Sequence, residues 1–250
     1  MSDKDDKQQA PLLEVKELHK SYGGRPIVDG LSFYVQKGEI VALLGPNGAG
    51  KTTAFYMAIG LIRPDRGNVS FEGNSVTHLP MHKRAQLGMG YLAQEPSVFR
   101  TLTVEQNIWA VLETLPISRA AKRRRCEELL SELRLEAVAK KYAGTLSGGE
   151  RRRLEITRAL VTEPKCLLLD EPFANIDPLS IHDVQELVRH LVEKKGIAIL
   201  ITDHNAREVF SLVHRSYLVR AGKVLCSGTV EELLVNEEVR HSYLGQNFKL

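Results

Sequence analysis

Between residues 12 and 39 the apolar positions fall in short β-rich pieces, 13–18 and 31–35, set off by the turn signals Gly23-Gly24 and Lys37-Gly38, a pattern that predicts antiparallel strands. The pattern then changes. Residues 40–44, Ile-Val-Ala-Leu-Leu, are apolar without alternation, as a strand covered on both faces requires, and they run through a glycine-rich loop into a helical stretch at 52–61. Arg63-Pro64-Asp65-Arg66-Gly67 ends that helix. Further strand-sized runs lie at 68–72, 89–93, 166–170, 197–202 and 216–219, with helical stretches between the later ones, and this alternation predicts a doubly wound α/β core. Residues 104–134 are helical in pattern, interrupted at Leu115-Pro116-Ile117-Ser118 where Ser118 is placed to cap a second helix. They predict a helical lobe inserted in the core over about residues 95–160 of a single domain spanning 12–240. Residues 230–250 read as a terminal helix whose end, 241–250, is a short tail.

Composition narrows the class without changing the outline. With 43% hydrophobic and 26% charged residues over 250 positions, the chain is an ordinary globular protein with enough length for its own core. Cys126, Cys166 and Cys226 are too few and too scattered for a disulfide framework or a zinc site, so they are expected as free thiols in a reducing cytosol. The longest apolar runs are strand-sized, far short of the roughly 18 residues of a spanning helix, so membrane contact is expected only through partners. The charged start, Asp3-Lys4-Asp5-Asp6-Lys7, carries no secretory apolar segment; residues 1–11 are expected to be a disordered tail and the protein to stay in the cytoplasm. A net charge of +3 is no basic stripe, and the runs Lys122-Arg123-Arg124-Arg125 and Arg151-Arg152-Arg153 read as solvated helix faces or contacts to acidic partner surfaces. No nucleic-acid partner is expected.

Gly45-Pro46-Asn47-Gly48-Ala49-Gly50-Lys51-Thr52 fits the pattern GxxxxGK[ST]. Its four fixed positions would arise by accident in about one chain per hundred of this length, so context decides, and here the match sits between a buried strand and a helix. Glycines there let backbone N–H groups wrap a polyphosphate while the helix presents its positive end to the same anion. Lys51 would reach the β- and γ-phosphates, Thr52 would ligate Mg²⁺, and Thr53 adds a donor nearby. The bound molecule is thus expected to be a nucleoside triphosphate with Mg²⁺.

Leu167-Leu168-Leu169-Asp170-Glu171 is an apolar strand ending in two acids. Asp170 could hold Mg²⁺ through water, and Glu171, aimed differently, could orient and polarise an attacking water. His204 follows the strand at 197–202 and Gln94 the strand at 89–93, both at the strand ends where open α/β sheets bind ligands. A neutral amide at 94 could touch both Mg²⁺ and the lytic water.

Leu146-Ser147-Gly148-Gly149-Glu150 precedes a helix expected to begin near Arg151, which makes Ser147 and the amides of Gly148 and Gly149 a second potential anion site. With this second motif the chain resembles the ATP-binding cassette family over about residues 12–228, the order of motifs being more specific than any one of them; Glu150 stands where Gln is more usual. The resemblance implies an α/β P-loop cassette with a parallel-sheet core, an antiparallel β subdomain and an inserted α-helical subdomain. It implies ATP as the nucleotide, Tyr22 stacking on adenine, Gln94 linking nucleotide to the helical lobe, His204 as the γ-phosphate switch, and Asp177 of Ala174-Asn175-Ile176-Asp177 at a dimer contact. The Asn175-Ile176 pair departs from the commoner small-Leu pair of that loop. It further implies a head-to-tail homodimer in which the Ser147 turn of one copy covers the triphosphate held by the Lys51 loop of the other.

Single cassettes without spanning helices that resemble this family mostly serve transporters, pairing with two integral membrane subunits through a groove near residues 95–102. Phe99 is the candidate anchor in that groove. The strings from Tyr91 to Arg100, Glu171 to Ala174, Thr202 to Asn205 and Tyr243 to Phe248 are similar to an exporter branch of the family; branched-chain amino acid importers are similar over much of the same region. Cassette proteins acting on ribosomes or DNA usually have two cassettes or a long coiled-coil insertion, and this chain has neither. A degenerate, non-hydrolysing cassette is disfavoured because every catalytic position is filled by a competent residue.

Overall fold

The computed structural model describes residues 10–174, 176–245 and 248, apart from the side chain of Ser242. Residues 1–9 of the expected tail, Asn175 of the loop before Asp177, and Gln246 and Asn247 of the C-terminal string lie outside the described residues.

The antiparallel strands predicted at the start are longer than their apolar pieces and form a hairpin: β1 (Leu13–Tyr22) pairs with β2 (Arg25–Val35) around Gly23-Gly24. β3 (Ile40–Leu44) leads into α1 (Lys51–Ile59). The next strand, β4 (Arg66–Phe71), with the short β5 (Asn74–Ser75), returns to β1 and completes a four-stranded antiparallel sheet in the order β2-β1-β4-β5. The run at 68–72 therefore does not belong to the parallel core as expected. It pairs Val69 with Val15 and Phe71 with Leu13, burying both apolar pairs in the antiparallel layer.

α2 (Met81–Gln86) was not foreseen, because its polar sequence buries only Arg84. The Arg84 guanidinium donates to the carbonyls of Met57 and Ala58 at 2.8 and 2.6 Å, and so serves the C-terminal end of α1, where a cation is favoured. β6 (Met89–Leu92) follows, then α3 (Val104–Leu112), α4 (Arg119–Glu132) and α5 (Gly148–Leu160). Thr103, Ser118 and Ser147 each accept a backbone N–H at the starts of these helices, so the predicted break before α4 is a cap. α5 begins at Gly148 rather than near Arg151, since Ser147 and Glu150 form a reciprocal capping box.

The chain then alternates through β7 (Cys166–Asp170), α6 (Pro178–Lys195), β8 (Ala198–Thr202), α7 (Ala206–Phe210), β9 (Arg215–Arg220) and β10 (Lys223–Gly228). The terminal helix expected over 230–250 is instead α8 (Val230–Val235), α9 (Glu237–Val239) and a π-helical turn (Arg240–Leu244). Asn236 makes the break: its backbone is extended and its side chain caps α9. Of the tail expected at 241–250, Phe248 packs edge-on against Phe210, with ring centroids 6.1 Å apart.

The second sheet runs β10-β9-β3-β8-β7-β6, parallel except for the antiparallel edge strand β10. Strand periodicity divides its buried residues between two cores. Ile40, Ala42 and Leu44 of β3, with Leu167, Leu169, Ile199 and Ile201, join a core shared with α3, α4, α5 and α6. Val41 and Leu43, with Cys166, Leu168, Ala198 and Leu200, join the core under α1 and the antiparallel sheet. No helix among the described residues is long and apolar enough to cross a membrane.

The two basic runs are not simply solvated faces. Lys122 is buried and its ammonium meets Glu113 at 3.2 Å. Arg152 is buried on α5 facing the sheet, with consequences described next.

Candidate nucleotide site

The site lies along the C-terminal ends of four adjacent parallel strands, β3, β8, β7 and β6, the edge at which a sheet of this type leaves a crevice. The loop from Gly45 to Gly50 joins β3 to α1, with Pro46, Asn47 and Gly48 exposed at the helix start. Two glycines are sterically required. A Cβ at Gly45 would lie 2.1 Å from the Val219 carbonyl oxygen, and one at Gly50, where φ is +101°, would lie 2.6 Å from that of Ile27. Ala49 accepts from Gly222 N–H at 2.8 Å, so the β9–β10 turn supports the loop from behind.

Lys51 is 6% exposed and donates to the carbonyls of Gly45 and Pro46 at 2.7 and 3.1 Å, closing the loop on itself. Burial lowers the ammonium's pKa, against the pull of Glu171, Asp203 and Asp170. Thr52 is exposed and Thr53 half-buried on the first turn of α1. Tyr22, 49% exposed, sits at the tip of the hairpin whose Ile27 approaches Gly50, with Lys20 Nζ 5.6 Å from its ring centre.

Asp170 ends β7 opposite Thr202 of β8 and accepts from the Thr202 hydroxyl at 2.6 Å. Its other carboxylate oxygen has no hydrogen-bond partner among the described residues, and burial raises the carboxyl's pKa. Asp203, which sequence reasoning passed over, repeats this on the next strand. One oxygen accepts from His204 and Asn205 N–H at 2.7 and 2.9 Å, the other has no hydrogen-bond partner among the described residues, and burial again raises the pKa. The signal in the sequence is one of register: since Asp170 pairs with Thr202, the residue after Thr202 must emerge at the same buried sheet end.

Two orphaned buried carboxylate oxygens beside a phosphate loop fit a hard divalent cation. Among the described residues no group of three or more His, Cys, Asp or Glu side chains is placed to hold a metal alone, so a cation here would draw further ligands from phosphate oxygens and water, as Mg²⁺ does.

Glu171 occupies a strained position, with φ +45° for a residue bearing a Cβ, at a cost of about 1–2 kcal/mol. Its N–H donates to Thr202 O at 2.8 Å and its carbonyl accepts from Arg152 at 2.9 Å, which hold the backbone in that state. Gln94 Nε2 donates to Glu171 Oε2 at 2.9 Å, and His204 Nδ1 lies 3.5 Å from the same oxygen. Gln94, Glu171 and His204, predicted separately, therefore meet at one carboxylate oxygen. The Tyr243 hydroxyl donates to the His204 carbonyl at 3.1 Å, tying the C-terminal turn to this group; burial pushes the phenol up to about 12.

Arg152 reaches under all of this from α5. It donates to the carbonyls of Pro172, Ala93, Asp170 and Glu171 and pairs with Glu155 at 3.0 Å, so one buried guanidinium fixes the chain around both acids and the segment leading to Gln94. Gly148 shares a small cleft with Gln94, Ala174 and Ile176. Ser147 lies exposed at the start of α5, and Asp177 caps α6. Phe99 is 48% exposed, with the Arg158 guanidinium 4.7 Å from its ring centre. A cavity of about 410 Å³ near Leu12, Lys165 and Ile197, at the opposite end of the sheet, holds none of these residues.

The raised pKa of Asp203 makes a stability prediction with a definite sign. The folded protein holds this proton more tightly than the unfolded chain, whose reference value is 3.8, so the contribution is present below that value and is lost as pH rises through the raised one. At neutral pH the buried charge is a liability that an amide lacks. Asp203→Asn is expected to raise the Tm of the nucleotide-free protein at pH 7.5 by about 2–4 °C, the equivalent of about 1 kcal/mol, with the gain shrinking toward pH 4. Melting curves at the two pH values check it, and an equal gain at both would contradict it.

An ABC transporter family model matches residues 28–174. The chain belongs to the ABC transporter family, as an ATP-hydrolysing cassette. Among its relatives, the lipopolysaccharide export system ATP-binding protein LptB of Acidithiobacillus ferridurans is 52% identical over 96% of this chain and 99% of its own. LptB of Escherichia coli K12 is 46% identical over 95% and 99%. The ADP conformation of MJ1267, an ATP-binding cassette of an ABC transporter, is similar with a TM-score of 0.85 and 28% identity, covering 95% of this chain and all of that one.

Proposed function

We propose that two copies of this chain, paired head to tail, bind and hydrolyse ATP to drive lipopolysaccharide export through two integral membrane subunits on the cytoplasmic face of the inner membrane. The strongest support is the convergence of Lys51, His204, Asp170, Glu171 and Gln94 on adjacent strand ends, in a chain about half identical to the LptB proteins almost end to end.

In this reading the loop from Gly45 to Thr53 cradles the triphosphate, Lys51 turns from its own loop carbonyls to the β- and γ-phosphates, and Tyr22 stacks on the adenine. Thr52, Asp170 and Gln94 would hold Mg²⁺, which when bound offsets phosphate charge. Glu171 takes a proton from the attacking water, Gln94 and His204 position the carboxylate, and His204 senses the γ-phosphate. Ser147, Gly148 and Gly149 of the second copy cover that phosphate, with Asp177 at the contact between copies. Charge-assisted hydrogen bonds to the triphosphate close the dimer, and hydrolysis removes them.

The membrane subunits dock near Phe99, an exposed aromatic beside the segment that carries Gln94. Purification of the chain from detergent-solubilised membranes is expected to recover two integral membrane proteins together with lipopolysaccharide. Phe99→Ala should reduce that recovery about tenfold or more, the effect of losing a buried anchor, while ATP binding by the isolated chain is retained. Recovery of ribosomal RNA, or of importer subunits that bind amino acids, would overturn the proposal.

A further inference from the structure

The turns that begin α5 and α6 come from distant parts of the sequence and meet at one side chain. A Cβ on Gly149 would stand 2.4 Å from Ser180 Oγ and 2.7 Å from Ser180 Cβ, so this approach exists only because residue 149 is glycine. Ser180 also engages both carboxylate oxygens of Asp177: its N–H donates to Oδ1 at 3.0 Å and its hydroxyl to Oδ2 at 2.6 Å. These two bonds, the hydroxyl's first, hold the Asp177 carboxyl below its ordinary range. Arg153 and Asp183, 3.8 Å apart, place a second link between the same helices one turn further on.

Both turns present exposed residues. Ser147 and Asp177 are exposed, and Leu179, on the first turn of α6, is 77% exposed, an apolar side chain left in water beside a fixed carboxylate. A surface carboxylate ordinarily samples several rotamers. Here its direction follows from where Ser180 stands, and Ser180 stands where Gly149 lets it.

We propose that Ser180 is a positioning residue that locks the Ser147 turn and Asp177 into one rigid element, so that both engage the partner copy in a single step. This rests on the head-to-tail dimer proposed above. Ser180 touches no nucleotide; it acts through Asp177 and through the placement of α5 against α6. Loss of its hydroxyl leaves the Lys51 loop intact and leaves the Asp177 carboxylate held by the Ser180 N–H alone.

The test uses the full chain with Glu171→Gln, in which ATP is bound without turnover, and follows pairing by sedimentation as ATP is titrated. Ser180→Ala is expected to raise the ATP concentration at half-pairing about tenfold, the effect of losing one hydrogen bond to a charged group. Binding of a fluorescent ATP analogue to dilute, unpaired protein should stay at the parental value, a split that general destabilisation would not produce. Asp177→Ala should shift pairing by a similar factor, and the double variant should shift it no further than either single one. Pairing of Ser180→Ala at the parental ATP concentration, or additive shifts in the double variant, would sink the proposal while leaving the dimer intact. Failure of the Glu171→Gln parent to pair at any ATP concentration would remove the dimer and the proposal together.

Discussion

Replacing Glu171 by Gln is expected to lower ATP turnover by about a thousandfold while leaving ATP affinity within a factor of about three, the range lost with a positioned general base. The substitution preserves shape. An amide oxygen at 171 still accepts from Gln94 Nε2, and the backbone bonds to Thr202 and Arg152 do not involve the side chain. Only proton acceptance disappears, so contacts to the triphosphate persist and the pair of subunits should stay closed. Phosphate release measures the first effect and sedimentation in ATP the second. Hydrolysis near the parental rate would remove Glu171 from the role of base and leave Asp203 and His204 as the groups to examine next.

Lys51→Ala is expected to weaken ATP binding itself by about 30- to 150-fold, equivalent to about 2–3 kcal/mol for a charge-assisted contact in a partly desolvated site. Two losses combine. The ammonium is a cation that Glu171, Asp203 and Asp170 all attract, so without it these acids confront the incoming phosphates with less compensation. The loop also loses the bonds by which Lys51 holds Gly45 and Pro46 in the absence of nucleotide. Equilibrium binding of a labelled nucleotide checks the prediction, and unchanged affinity would contradict the cradle assigned to residues 45–53.

The features most legible in the sequence were those written in contiguous residues with a strict steric demand. Residues 40–44 are buried on both faces, as their unbroken apolar run required, and the glycines that follow stand where a Cβ would strike backbone. Ser118 caps α4 as its position after Leu115-Pro116-Ile117 suggested. Elements held by polar or edge contacts were not legible. β10 is a half-exposed edge strand with no apolar alternation, and α2 has no apolar face because its buried residue is an arginine.

Arg152 shows the same limit within the site. Three consecutive arginines on a helix carry no mark that tells which one turns inward, and only the packing of α5 on the sheet ends makes the middle one a ligand for four carbonyls. Asp203 was readable only after strand register had been fixed, because its neighbour His204 carries the more familiar chemistry. The contact between Gly149 and Ser180 depends on how two helices cross, which no local pattern encodes.

The left-handed backbone at Glu171 has a consequence for anyone who engineers this chain. Glycine or asparagine would relieve the distortion, so the most heat-resistant variants at that position should also be the inert ones. Selection for thermal survival alone would trade away the motor, and any stabilisation campaign needs turnover as a simultaneous screen.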